Sequence, residues 1–136
     1  MKNWKKMMSA ALTAAMTVTM LAGCGGGETE KGSSDTIKVG GIGPVTGDAA
    51  IYGEAVKNGA ELAVKEINEA GGINGAQIEF NFQDDEADAE KAVNAYNTLK
   101  DWGMQALLGT VTSAPCVAVG EVAQADNMFL LTPSGT

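Results

Sequence analysis

Two short loops concentrate the hydroxyl groups that could hold a small polar ligand. Thr110, Thr112 and Ser113 stand between an apolar run and a helical pattern, and Ser134 and Thr136 follow a second apolar run. At strand-to-helix passages of this kind, backbone N–H groups and side-chain hydroxyls can jointly hold a carboxylate. Simple N-capping by Thr112 or Ser113 would use the same residues, and the local sequence leaves both roles open. Two hydroxyl-bearing loops at equivalent strand ends favour ligand contact more than either loop alone. Tyr52, beside a third loop rich in Gly and Pro, is a further candidate contact.

Other chemistries find less support. With no histidine among the 136 residues, Ser-His-Asp triads, Cys-His pairs and HExxH zinc chemistry are excluded within this chain. Cys116 has no companion base or second thiol nearby and reads as a buried or partly buried helix residue. The acids Asp84, Glu86, Asp88 and Glu90 have Ala89 where a calcium loop needs glycine, so they suit a solvated helix start and no metal site. Gly41-Ile42-Gly43-Pro44-Val45-Thr46-Gly47 has its third glycine one position too late for a dinucleotide loop, and Pro44 withholds a backbone donor. These glycines read as a tight strand-to-helix loop, with Thr46 and Asp48 free to cap or to touch a small ligand. No cofactor is expected.

The chain carries 17 acidic residues against 9 lysines and no arginine, for a formal charge of -8. Nucleic acid is therefore a poor partner. Residues 1–23 show a basic head, an uncharged stretch from Met7 to Ala22 and small residues before Cys24, the pattern of a secretory signal. The stretch is short for a bilayer-spanning helix. Leu21-Ala22-Gly23-Cys24 resembles the bacterial lipobox, which makes Cys24 the expected lipidation site and residues 24–35 a Gly- and Ser-rich tether. The plainer alternative is a secreted protein whose Cys24 happens to lie near the cleavage point. Removing the signal leaves 6 basic against 17 acidic side chains, a charge of -11.

From Thr36 onward the periodicity alternates. Thr36 to Gly41 reads as a strand, Ile42 to Asp48 as a loop and Ile51 to Ala70 as an amphipathic helix with Ile51, Ala55, Gly59, Leu62, Ala63 and Ile67 along one stripe. Gly71-Gly72 and Asn74-Gly75 offer turns with positive φ. In Gln77 to Gln83, Ile78, Phe80 and Phe82 alternate with polar residues, which places this strand toward a sheet edge. A helix from Ala87 to Leu99, a strand from Met104 to Leu108, a loop from Gly109 to Pro115, a helix from Cys116 to Ala125 and a strand from Met128 to Leu131 complete the series. Tyr96 and Trp102 are expected to finish the packing face of the second helix. The β-α-β-α-β-α-β order predicts an α/β fold with an open parallel sheet, whose ligands bind beyond the strand C-termini.

At IKVGGIGPVTGDAAIYG, NGAELAVKEINEAGGINGAQIEF, Asp84-Asp85, GTVTSAPCVAVG and LLTPSGT, the chain resembles the branched-chain amino-acid type of periplasmic binding protein. The resemblance covers nearly all of residues 36–136. It implies a type I periplasmic-binding-protein fold, present as part of the N-terminal lobe of a two-lobed protein. It also implies capture of an amino acid or similar small polar ligand without chemical conversion, and delivery to the permease subunits of an ABC importer outside the cytoplasm. Carboxylate recognition maps onto Thr112 and Ser113, and further head-group contacts onto Ser134 and Thr136. Some relatives carry a disulfide cysteine where this sequence has Thr112, which puts that disulfide in doubt here. A sensory receptor of the same fold and an exported α/β enzyme are the alternatives.

Overall fold

A computed structural model describes residues 36–135. The signal segment, Cys24, the tether and Thr136 lie outside the described residues. The elements are β1 (Ile37–Gly43), α1 (Ala50–Glu69), β2 (Ile78–Asp84), α2 (Ala89–Trp102), β3 (Ala106–Gly109), α3 (Ser113–Ala125) and β4 (Phe129–Leu131). All strand pairs are parallel, in the order β2-β1-β3-β4. The expected open parallel sheet is present, and β2 lies at its edge as its alternating pattern implied.

Most element boundaries differ from expectation by one to three residues, and three of the differences have a plain physical reason. β1 runs two residues beyond Gly41, pairing as far as Gly43 with Asp84. Its glycines are packing positions: a Cβ on Gly41 would stand 2.4 Å from the Phe82 ring, and one on Gly43 2.5 Å from Val111 Cγ2. Gly41 and Gly43 thus belong to a ladder, where neighbouring side chains use the space that they leave. α2 starts later than expected, because Asp88 caps it by accepting from Lys91 N at 2.9 Å. α3 starts earlier, at Ser113, since Pro115 sits in the first turn, where a missing N–H costs no helical bond.

The main core lies between the sheet and α2 with α3. Ile42, Tyr96, Leu99, Leu107 and Val119 are all but fully buried there. Tyr96 and Trp102 join this packing face as expected, with Lys38 Nζ 5.0 Å above the Trp102 ring. α1 covers the opposite sheet face over β1 and β2. Its period is the expected one, but its phase is not. Gly53 is buried and Val56, Ala60 and Val64 are partly buried, whereas Ile51 and Leu62 of the expected stripe stand exposed. Gly53 selects the phase: a Cβ there would lie 1.7 Å from the Pro44 carbonyl oxygen, so no other residue lets the helix approach so closely.

Candidate functional site

From β1 the chain crosses to β2 on one side, and from β3 it crosses to β4 on the other. The connections diverge between β1 and β3, opening a crevice beyond their C-terminal ends, the position where open α/β sheets take ligands. The Pro44–Ala49 loop with the start of α1 forms one wall. Thr110 to Thr112 with the start of α3 forms the other.

Asp84, at the end of β2, fixes the first wall. Its Oδ1 accepts from Val45 N at 2.9 Å and Glu86 N at 3.0 Å, while Oδ2 accepts from Thr46 Oγ1 at 2.6 Å. Burial pushes this carboxyl up, but the Thr46 hydroxyl and the backbone N–H donors outweigh it and hold Asp84 below the ordinary carboxylate range. Its neighbour Asp85 is fully buried, with Oδ1 accepting from Ala87 N at 2.9 Å and Oδ2 unpartnered. Burial raises its pKa, with the charges of Asp84 and Asp88 adding to the rise against the Ala87 bond. Asp84 and Asp88 are thus spent on backbone amides, which accounts for the acidic run as loop and helix scaffolding. Tyr52 lies in the first turn of α1, 65% exposed.

On the second wall, hydroxyls from the β3 and β4 exits occupy backbone carbonyls. Thr132 Oγ1 donates to Thr110 O at 2.8 Å, Ser134 Oγ to Val111 O at 2.7 Å, and Thr110 Oγ1 to Thr112 O at 3.1 Å. Thr132 Oγ1 also accepts from Gly135 N at 2.8 Å, which curls the β4 loop back toward the site. Three consecutive carbonyls are satisfied in this way. Thr112 occupies the N-cap position of α3 yet makes no side-chain cap bond, and its Oγ1 is buried without a partner. α1 likewise has no side-chain cap, having Ala49 at its N-cap. The crevice therefore faces two helix N-termini whose N–H ends carry partial positive charge.

Of the residues singled out in the sequence, Thr112, Ser113 and Ser134 come together on this wall, and Tyr52 stands on the other. Thr136 lies outside the described residues. Ser134 has its hydroxyl turned inward as a tie between loops. Capping by the Thr112 side chain is not what the structure shows, because the hydroxyl makes no hydrogen bond to the helix amides. Asp84 and Thr132 are positioning residues to which the sequence assigned no place in the site, while Thr110, one of the candidate hydroxyls, donates to Thr112 O. A hydroxyl residue at each strand exit, two positions from the next, was the available signal. Cys116 is partly buried as expected, and it packs against the β4 loop, where a Cβ on Gly135 would lie 3.0 Å from its Sγ.

Comparison with known proteins decides the family. A model of the family described as periplasmic binding protein matches residues 36–136. The chain belongs to the periplasmic binding protein family. Within it, the resemblance is to the branched-chain amino-acid type. A leucine-, isoleucine-, valine-, threonine- and alanine-binding protein of Pseudomonas aeruginosa is 38% identical over 104 residues, covering 76% of this chain and 28% of that protein. A branched-chain amino acid transporter substrate binding protein of Streptococcus pneumoniae, solved with isoleucine, superposes with a TM-score of 0.71 at 37% identity, covering 74% of this chain and 29% of that one. A fatty acid ABC transporter substrate-binding protein from Thermomonospora curvata is 31% identical with a TM-score of 0.65, covering 72% and 25%. The chain spans between 25% and 29% of the length of these similar proteins.

Proposed function

We propose that the chain forms part of the ligand-capturing lobe of an extracytoplasmic solute-binding protein, which takes up a small carboxylate-bearing ligand, an amino acid foremost, and hands it to an ABC importer. The observation that carries the reading is the donor-rich wall at the switch point. Its Thr110, Val111 and Thr112 carbonyls already accept hydroxyl groups, while the α3 N-terminus has no side-chain cap and Thr112 Oγ1 has no partner. Such a wall suits an anionic oxygen and offers little to a cation. Isoleucine and fatty acids, named with two of the similar proteins, have a carboxylate in common.

In this reading Thr112 and Ser113 hold the carboxylate, and Ser134 and Thr136 supply further backbone or hydroxyl contacts to the ligand's head group. Tyr52 closes the ligand from the opposite wall. Binding involves no chemical conversion, and closure of a second lobe would favour the liganded state through its higher affinity. Acylation at Cys24 would anchor the protein to the outer side of the cell membrane, with residues 24–35 as a tether.

Calorimetry of the delipidated family-length protein against branched-chain amino acids, their amides and fatty acids tests the ligand class. The acids should bind and the amides, which lack the charge, should not. Thr112→Val keeps the side-chain shape and removes one donor to a charged group, about 1.5–3 kcal/mol or roughly 10–100-fold in affinity. Equal affinity for acids and amides would sink the carboxylate assignment. Incorporation of labelled fatty acid that survives Cys24→Ala would sink the anchor.

A further inference from the structure

The crevice walls carry one charged side chain. Across residues 44–53 on the first wall and 110–116 on the second, it belongs to Asp48, exposed on the loop before α1. An aspartate beside a helix N-terminus commonly caps it, but here the loop's own carbonyls serve the amides: Gly47 O accepts from Ala50 N at 3.2 Å, and Ala49 O from Tyr52 N at 3.0 Å. The N-cap position falls to Ala49, and no side chain caps α1. Asp48 makes no hydrogen bond or ion pair among the described residues. Its carboxylate is therefore spare, unlike those of Asp84 and Asp88, which are taken up by backbone amides.

No cation of the described residues neutralises it. Lys38 Nζ donates to Trp102 O at 2.9 Å, Lys57 and Lys65 face Glu61 and Glu69 along α1 at 3.8 and 3.9 Å, and Lys91 and Lys100 pair with Glu86 and Asp126 at 2.6 Å. The crevice is thus polarised. On the second wall the bare α3 N-terminus and the Thr112 hydroxyl suit a carboxylate. On the first wall the α1 N-terminus carries about half a positive charge, which alone would repel the ammonium group that an amino acid bears beside its carboxylate. A whole negative charge one residue before the Ala49 N-cap more than offsets it and turns the sign of that wall.

We propose that Asp48 is a specificity-determining residue of this crevice, which pairs with the ligand's α-ammonium and so selects a zwitterionic amino acid over a carboxylate without a cationic group. The proposal rests on the reading of the second wall as a carboxylate site. Isoleucine and fatty acids, named with two of the similar proteins, share the carboxylate, and the ammonium is what separates them. Asp48 acts on both sides of that choice. It attracts the ammonium of the one and repels the uncompensated anion of the other, and selectivity draws on repulsion as much as on attraction. Because Asp48 is exposed, the attraction has the size of a solvent-facing ion pair, about two- to fivefold in affinity.

Calorimetry on the family-length protein tests it with leucine or isoleucine, whichever binds more tightly, and with the deaminated acid of the same skeleton, which keeps the carboxylate and loses the ammonium. The ratio of the two affinities is the readout. Asp48→Asn should lower that ratio about two- to fivefold, chiefly by weakening the amino acid. Added salt should bring the parent's ratio toward the variant's. Asp48→Glu, which keeps the charge, should retain most of the parent's preference. A ratio that Asp48→Asn leaves unchanged would overturn the assignment, whether both affinities hold or both fall together, since a residue that merely supports α1 would move the two alike. A ratio as low in Asp48→Glu as in Asp48→Asn would overturn it too. The amide of the amino acid separates this proposal from the one beneath it: an unchanged ratio with the amide still rejected counts against Asp48 alone, whereas acid and amide bound alike by the parent overturns the carboxylate site and this assignment together.

Discussion

Two alanine substitutions six residues apart on α1 should act in opposite directions. At Gly53 a Cβ would lie 1.7 Å from the Pro44 carbonyl oxygen, and Pro44 is itself fully buried. Restoring an ordinary contact of about 3.5 Å needs a withdrawal of almost 2 Å. Both partners are backbone, so no rotamer change relieves the clash, and the cost belongs at the upper end of overpacking, about 3 kcal/mol. Alanine's better helix propensity returns about 1 kcal/mol, which leaves Gly53→Ala about 2 kcal/mol less stable. At Gly59 the new methyl meets nothing within 4 Å, so Gly59→Ala should gain about 0.5–1 kcal/mol from the unfolded state alone. With a urea slope of about 1 kcal/mol/M for a domain of this size, the midpoint falls by roughly 2 M for Gly53→Ala and rises by roughly 0.5–1 M for Gly59→Ala. Urea titration followed by the helical circular dichroism signal reads both shifts. Movement of the two midpoints in the same direction would refute the close approach of α1 to the Pro44 loop.

Asp85 has a folded pKa above its ordinary value of 3.8, so its favourable contribution is present below that value and is lost as pH rises through the raised one. Asp85→Asn should therefore gain thermal stability relative to the parent as pH rises from about 3 to about 7; a constant difference across that range would contradict it. Tyr96 donates to Asp126 Oδ2 at 2.9 Å, and burial together with this carboxylate pushes its pKa up to about 12. Ultraviolet titration should show Tyr96 ionising near that pH, and Asp126→Asn should bring it down. Tyr96→Phe removes a hydrogen bond to a charged group that Lys100 also contacts at 2.6 Å, and should cost about 1 kcal/mol in chemical denaturation; no measurable loss would show the bond to be idle.

The order of elements, the parallel sheet and the edge place of β2 were legible because hydrophobic period and turn residues are local signals. What escaped was phase and contact. The apolar stripe through Ile51 and Leu62 has the right spacing, yet α1 docks through Gly53, Val56, Ala60 and Val64 because the sheet demands small residues beside Pro44. The glycines of β1 look like loop residues until Phe80, Phe82 and Val111 are seen to occupy their missing side-chain space. At the site, the sequence marked Thr112, Ser113 and Ser134, but it could not tell a hydroxyl facing a ligand from one facing a carbonyl. Thr132 and Asp84 act across 22 and 39 residues of chain. No local pattern records such distances.

The hydroxyl-to-carbonyl bonds along the β3 exit make discrimination a matter of what has been silenced. A wall whose backbone carbonyls are already engaged, and whose donors are amides and the hydroxyls of Thr112 and Ser113, has no proton of its own to gain or lose near neutrality. Its hold on an anion should therefore stay nearly level as acidity changes, until the ligand itself is neutralised. Because no mobile side-chain charge takes part, added salt should weaken that hold far less than it weakens a lysine–carboxylate pair on a surface. If the wall serves the extracytoplasmic binding proposed for it, its hold would persist where acidity and salinity are set by the surroundings.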